Sequence, residues 1–354
     1  MRTPSETEFG IGTFGDVTVD LKGEPVSQAQ SLRNVIAEGV LADEVGIDFI
    51  GVGEHHRVDF AVSAPEVVLA GLATVTKRIR LGSAVTVLSS DDPVRVFQRF
   101  ATVDALSNGR AEVILGRGSF TESFPLFGYD LGDYQQLFEE KLDLFTELLK
   151  ERPVTWEGSL RAGLIEQSVY PHTESGHITT WIGVGGSPES VVRAARYELP
   201  LVLAIIGGDP ARFAPYVDLF YRALDQLEKP PLPIAVHSPG FIADTDGEAA
   251  ELYFDHHRVM RDRIGRERGW PPLTPAEFRN EIEHGSLYLG SPETVARKIA
   301  TTVATLGIRR FDIKYSAGTL PHEHMMRSIE LYGSQVIPMV RDLLASERTL
   351  TLAN

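Results

Sequence analysis

The stretch Ile79–Gly116, IRLGSAVTVLSSDDPVRVFQRFATVDALSNGRAEVILG, contains a complete strand–helix–strand unit. It opens on a β-prone run, Ile79–Leu88. Val94, Phe97, Phe100, Ala101, Val103 and Leu106 then recur at three-to-four spacing, the period of a helix with one apolar face. Pro93 suits the first turn of that helix with Asp92 as its N-cap, and Asn108-Gly109 ends it in a left-handed turn. A second β-prone run, Ala111–Gly116, follows at once. Two strands joined through one crossing helix run parallel.

The same alternation extends in both directions. Further β-prone runs lie at Gly10–Phe14, Asp48–Val52, Thr180–Gly185, Leu201–Ile206, Ile234–Ala243 and Arg309–Tyr315, making eight in all. Helical spacing recurs between them, as in Leu32, Val35, Ile36, Gly39, Val40 and Ala42. Ser187-Pro188-Glu189 and Ser291-Pro292-Glu293 each read as a capping Ser, a Pro at the first helical position and an acid at the positive end of the helix dipole. Eight such units predict a (β/α)8 TIM barrel, with residues 1–354 forming a single domain. Three segments exceed what barrel connections need: Ser119–Asp133 after strand four, Pro153–Thr179 between helix four and strand five, and Arg263–Gly290 before the last helix–strand unit. Ordered insertions of this length are expected to act as lids or substrate walls.

The 43% hydrophobic content supplies a large core, and no run approaches the roughly 18 apolar residues of a membrane helix. The start, MRTPSETEFG, lacks the basic and apolar regions of a signal peptide, so the expected location is cytoplasmic, with no membrane partner. With no cysteine in the chain, disulfides, thiolate metal sites and a cysteine nucleophile are excluded. A net charge of −15 argues against a nucleic-acid partner, which normally requires a basic face.

In a parallel barrel the C-terminal strand ends share one mouth, and chemistry is expected there. GVGEHHR, Gly51–Arg57, ends strand two at that mouth, whereas the near-duplicate Asp255-His256-His257-Arg258 falls in a charged helix and reads as a solvated face. Adjacent histidines in a strand point to opposite faces, and there is no His-x-His or carboxylate set at ligand spacing, so no metal is expected. Gly116-Arg117-Gly118-Ser119 and Gly183-Val184-Gly185-Gly186-Ser187-Pro188 end strands four and five with glycines that let a ligand approach backbone N–H groups, and Arg117 adds charge for a phosphate. His237 lies in strand seven, where it either faces substrate or is structural. Phe120, Phe124 and Tyr129 are expected to wall the pocket or pack in the core. Whether Lys314 or Tyr315 points inward depends on strand register.

GVGEHHR, LGSAVTVLSSDDPVRVFQRFATVDALSNGR, ILGRGSFTESFPLFGYDL and WIGVGGSPESVVRAA, in this order, resemble the bacterial-luciferase-like flavin-dependent monooxygenases over about residues 9 to 340. The resemblance implies a barrel that binds reduced FMN at its mouth, forms a flavin hydroperoxide with oxygen and inserts one oxygen atom into a small-molecule substrate. It implies a catalytic role for His55 with Glu54 and His56 as neighbours, flavin-phosphate contacts from Arg117, Ser119, Gly185, Gly186 and Ser187, and a non-prolyl cis peptide at Ala84-Val85 lining the isoalloxazine. A homodimer is also implied. The chain departs from luciferase in having Asp92 where luciferase has a histidine, Gly116 where it has a cysteine, and Ser123, with Glu122 adjacent, where it has an acid. Light emission and a long-chain aldehyde substrate therefore do not follow.

His55 suits acid–base work because imidazole titrates near neutrality and an adjacent carboxylate can hold its tautomer. Together with Glu54 and His237 it makes up the expected catalytic set. Three readings stand side by side: a monooxygenase supplied with reduced FMN by a separate flavin reductase, a deazaflavin-dependent hydride-transfer oxidoreductase on the same barrel, and a non-catalytic flavin carrier.

Overall fold

The computed structural model describes residues 7–118 and 120–352. Eight parallel strands close into a barrel: β1 (Glu8–Thr13), β2 (Phe49–Val52), β3 (Arg80–Ser83), β4 (Ala111–Gly116), β5 (Thr179–Val184), β6 (Leu201–Ala204), β7 (Ile234–Ile242) and β8 (Arg310–Lys314). Each pairs with the next, and β8 closes the ring by pairing with β1 from Glu8↔Arg310 to Gly12↔Lys314. The fold is thus the predicted (β/α)8 barrel. Around it run α1 (Gln28–Glu44), α2 (Pro65–Val75), α3 (Pro93–Ser107), α4 (Tyr134–Leu148), α5 (Pro188–Arg196), α6 (Ala214–Gln226), α7 (Asp246–Arg268), α8 (Pro275–Glu283), α9 (Pro292–Leu306), α10 (His322–Leu331) and α11 (Ile337–Leu352).

The local signals act as read. Asp92 accepts the Val94 and Arg95 N–H groups at the head of α3, and Asn108 adopts φ 56° at its end. Ser187 and Ser291 cap α5 and α9 through the N–H groups of Ser190 and Thr294. The run Ile79–Leu88, expected as one strand, is divided: β3 ends at Ser83, and a separate strand, Thr86–Val87, pairs with β4 beyond the cis peptide Ala84–Val85. Continuous β propensity carries no mark of that break.

Phe49, Ile114, Trp181, Val202 and Ala235 fill the barrel interior, with Ala84 and Val85 packed against them. Below them Arg310, 0% exposed, is sandwiched over the Phe49 and Trp181 rings at 4.0 and 4.4 Å and donates to Glu112 at 2.7 Å. Asp312 stands 3.2 Å from Arg310 Nε, and burial raises its carboxyl to about 7. Charges this deep persist only where partners compensate their lost hydration.

The insertions are structured. Ser123–Phe127 forms a short helix after β4, Val154–Trp156 and Leu164–Gln167 form an antiparallel hairpin before β5, and the third insertion contributes the end of α7, α8 and a short strand, Tyr288–Gly290, that pairs with β7. The second His-His tetrad corrects its sequence reading in part: Asp255 and Arg258 pair on the exposed face as a solvated helix would have them, but the two histidines are packed inward. His257 stacks on Tyr253 at 5.2 Å with Phe278 at 6.0 Å, and His256 Nδ1 meets Thr319 Oγ1 at 2.8 Å. These residues form the inner face of a 23-residue helix whose apolar periodicity is too sparse to show in sequence, since Ala249, Tyr253 and Gly265 are its buried positions. Among the described residues no helix is long and apolar enough to cross a membrane.

Candidate active site

The floor of the mouth is built from backbone and very small side chains. A Cβ on Gly51 would lie 2.7 Å from the Ala84 Cβ, and one on Gly116 would lie 2.6 Å from Val85 Cγ2. Only glycine lets β2 and β4 approach the Ala84–Val85 link this closely. The Glu54 N–H donates to the Val85 carbonyl at 3.1 Å, and the Ala84 N–H to the Val52 carbonyl at 2.9 Å, so the end of β2 holds this floor in place.

The two neighbouring histidines serve different surroundings. Glu54, 7% exposed, accepts from Val87 N–H at 2.8 Å through Oε2 and meets His56 Nε2 at 2.8 Å through Oε1. The carboxylate expected beside His55 is therefore engaged by His56, because consecutive side chains diverge at the strand end. His55 sits in an aromatic box of Phe14, Phe60 and Phe120, with centroids 4.4, 4.7 and 5.1 Å away. Burial first, then the positive charges of Lys314 and Arg57, holds His55 down to about 3, so its ring is neutral near pH 7.

His237 also points into the barrel, its Cε1 lying 2.7 Å from where a Cβ on Gly12 would stand. Burial and Lys314 lower it to about 4. Lys314 is the inward member of its pair. Its Nζ contacts both Asp16 oxygens at 3.3 and 3.4 Å, Ser316 Oγ at 3.1 Å and the Ser316 carbonyl at 2.5 Å, and lies 4.6 Å over the Phe14 ring. Tyr315 turns outward and donates to Glu38 on α1 at 2.5 Å.

At the neighbouring strand ends, Arg117 lies 5.3 Å over the Tyr134 ring, and among the described residues it makes no ion pair within 4 Å. Gly185 has open space where a side chain would be, while Gly186, at φ 110°, presents its carbonyl to Tyr216 Oη at 2.8 Å. Ser187 caps α5 and donates to Glu189 at 2.7 Å. The β4–β5 register pairs Leu115 with Ile182, which brings Arg117 and the Gly185–Ser187 turn to adjacent strand ends. Ser119 lies outside the described residues. Of the expected wall residues, Phe120 packs on His55, Phe124 is 0% exposed and stacks on Tyr134 at 5.6 Å, and Tyr129 covers Lys141 Nζ at 3.9 Å.

Sequence reasoning missed Lys314–Asp16 and the role of Arg57. Arg57 pairs with Glu122 of the first insertion and with Glu267 of α7, and its guanidinium lies 4.5 Å over Phe120. It ties two insertions over the His55 box. Arg57 stood in the quoted motif, but nothing local named its partners, which lie 65 and 210 residues away. A cavity of about 660 Å³ runs along α9, away from this floor.

The residues fit a flavin: a floor of small side chains for a flat ring, and Arg117, open glycine backbone and a helix N-terminus for a phosphate. Glu189, which accepts from Ser187 there, carries a charge that opposes a phosphate.

Comparison with known proteins agrees with this fold. The family model for luciferase-like monooxygenase matches residues 7–310. The protein y4vJ of Sinorhizobium fredii is 24% identical, over 91% of this chain and 95% of that protein. The alkanal monooxygenase alpha chain of Photorhabdus laumondii is 27% identical over 54% of each chain, so that match spans about half of the relative. Among solved structures, monooxygenase RslO1 of Streptomyces bottropensis superposes with a TM-score of 0.79 at 22% identity, covering 94% of this chain and 99% of that one. The oxygenating constituent of 3,6-diketocamphane monooxygenase of Pseudomonas putida, solved with FMN, gives 0.76 at 20% identity over 94% and 98%. An F420-dependent secondary alcohol dehydrogenase gives 0.72 at 18% identity over 95% and 99%. At these identities the three structures bear on the fold alone.

Proposed function

The chain belongs to the luciferase-like monooxygenase family, and from that premise we propose that it takes reduced FMN from a separate flavin reductase and uses O2 to oxygenate a small organic substrate. The observation that carries this reading is the juxtaposition of a small-residue floor, Ala84–Val85, with Arg117 and the Gly185–Ser187 turn on adjoining strand ends. When bound, reduced flavin supplies the activation of oxygen and the transfer of one oxygen atom.

The protein's share is placement, dryness and proton management. Ala84 and Val85 support the ring, and Arg117, Gly185, Gly186 and Ser187 hold the phosphate. Glu54 fixes the floor through Val87 N–H and orients His56 through Nε2. His55 works as a neutral imidazole, one nitrogen accepting and the other donating a hydrogen bond, inside an apolar box that excludes water. His237 offers a second neutral ring across the mouth. A homodimer rests on the family resemblance, and sedimentation would test it.

A deazaflavin-dependent hydride transfer is the second reading, favoured by the structural likeness to F420-dependent enzymes. Anaerobic titration of the purified chain with reduced FMN and with reduced F420, followed by mixing with oxygen, separates the two. Tight binding of reduced FMN, with reoxidation kinetics altered from those of free flavin, supports the oxygenase. Binding of reduced F420 alone overturns it.

A further inference from the structure

Between the mouth and the outer helices runs a row of buried polar side chains that takes no part in placing the cofactor. It starts at the Lys314–Asp16 pair, where Lys314 Nζ lies 4.6 Å over the Phe14 ring and Phe14 in turn packs on His55 at 4.4 Å. Ser316 donates to Asp16 Oδ2 at 2.6 Å, and its hydroxyl oxygen is 3.1 Å from that of Thr13 at the end of β1. The Thr13 hydroxyl also reaches that of Tyr315, just past β8, which donates to Glu38 Oε2 on α1 at 2.5 Å. Glu38 Oε1 meets His322 Nδ1, at the head of α10, at 2.8 Å.

Asp16, Ser316, Thr13, Tyr315 and Glu38 are all buried, whereas His322, 23% exposed, meets solvent. Burying so many polar groups is costly, and holding α10 against α1 takes only the Glu38–His322 contact. Three hydroxyls between two carboxylates have a further property: each can accept one proton while giving up another. Thr13 is the pivot, since its single hydroxyl proton can be given to Ser316 or to Tyr315. At the outer end the hydrogen bond to Glu38 raises His322 above its ordinary range, so that it collects protons readily. The aromatic box shields the His55 ring from bulk water, so protons exchanged at the mouth need another path.

We propose that His322, Glu38, Tyr315, Thr13 and Ser316 form a proton relay between solvent on the α10 side and the Lys314–Asp16 pair at the mouth. As an imidazolium, His322 gives its Nδ1 proton to Glu38 and regains one from water. The Glu38 O–H bond then breaks as Tyr315 accepts that proton; Tyr315 gives its own to Thr13, Thr13 to Ser316 and Ser316 to Asp16, each hydroxyl gaining one proton and losing one. The net change is one proton moved from Glu38 to Asp16, and the same row run backwards releases a proton to solvent. That the relay serves the oxygen chemistry rests on the oxygenase reading above; the path itself does not.

The test is the exchange of the Lys314 Nζ hydrogens with water, followed by NMR on the full chain without flavin and with isotope-labelled lysine, the signal being assigned by its loss in Lys314→Arg. A buried ammonium exchanges by handing a proton to a neighbouring base, here Asp16, so exchange reads the inner end of the row. His322→Gln can still donate to Glu38 but carries no titratable proton, and Tyr315→Phe keeps the ring and removes the relay hydroxyl. Both are expected to slow exchange about tenfold or more, the scale of losing a positioned proton carrier. A network that only held structure would loosen in these variants and speed exchange, so unchanged or faster exchange in either one overturns the proposal. Circular dichroism checks that the variants fold. Should Tyr315→Phe not fold, His322→Gln, at the solvent end, decides alone. Reduced FMN is titrated into the parent protein alongside. Flavin binding with unchanged exchange in the variants removes the relay alone, and slowed exchange without flavin binding keeps the relay and removes the oxygenase reading.

Discussion

Glu54 Oε1 meets His56 Nε2 at 2.8 Å, while the other carboxylate oxygen takes the Val87 N–H at the same distance. One side chain thus ties a mouth histidine to the segment just past the cofactor floor. Charge-assisted hydrogen bonds of this kind contribute about 1.5–3 kcal/mol. Glu54→Ala is therefore expected to weaken reduced-flavin binding by roughly tenfold or more, and Glu54→Gln by less, because the amide oxygen can still accept from Val87. Anaerobic titration reads both, and equal affinities across the three proteins would refute the linkage.

His55 and Arg117 should separate chemistry from binding. His55→Ala is expected to retain flavin and lose oxygenation, whereas Arg117→Ala should weaken flavin binding first. Flavin affinity and product yield, measured on the same preparations, check this; the reverse pattern would exchange their roles.

Acid should destabilise the fold through its buried histidines. Burial lowers His55 to about 3 and His237 and His257 to about 4, against 6.5 in the unfolded chain. Below 6.5 the unfolded state binds protons that the native state refuses, so this contribution is complete above pH 6.5 and is lost as pH falls toward 4. Urea midpoints at pH 7.5 and 5 should differ, and the difference should shrink in His257→Phe, which keeps a ring against Tyr253. An undiminished pH slope in that variant would show that His257 is not a source.

Asp312 acts in the opposite direction. Its folded value is raised to about 7 by burial, so the native state holds a proton that the unfolded state releases above about 4. Its contribution to stability is present at low pH and declines as pH rises toward 7. Asp312→Asn, which mimics the neutral acid, should gain stability relative to the parent more at pH 8 than at pH 5. Thermal melts at the two pH values decide it, an equal or reversed difference counting against the assignment.

Much of the architecture was legible because its causes are local. The α3 cap at Asp92, the left-handed Asn108 and the Ser187 and Ser291 helix starts are settled within a few residues of chain. The break after Ser83, the α8 helix and the strand Tyr288–Gly290 were not read. The first lies inside an unbroken β-prone run, and the others lie in a stretch expected only as an insertion. His256 and His257 were misjudged for a related reason: a helix with few buried positions looks solvated until a neighbour such as Phe278 covers it.

The sequence alone determined the eight strand–helix units, the parallel barrel and the gathering of GVGEHHR, Arg117 and Gly185–Ser187 at strand ends. Periodicity, caps and glycine positions act over short distances, and a parallel barrel follows from their order. Only the tertiary structure decided that Glu54 serves His56, that Lys314 and not Tyr315 faces inward, and that Arg57 bridges two insertions. Those outcomes depend on strand register and on contacts between residues far apart in the chain, and a one-residue change of register would reverse which side chains meet.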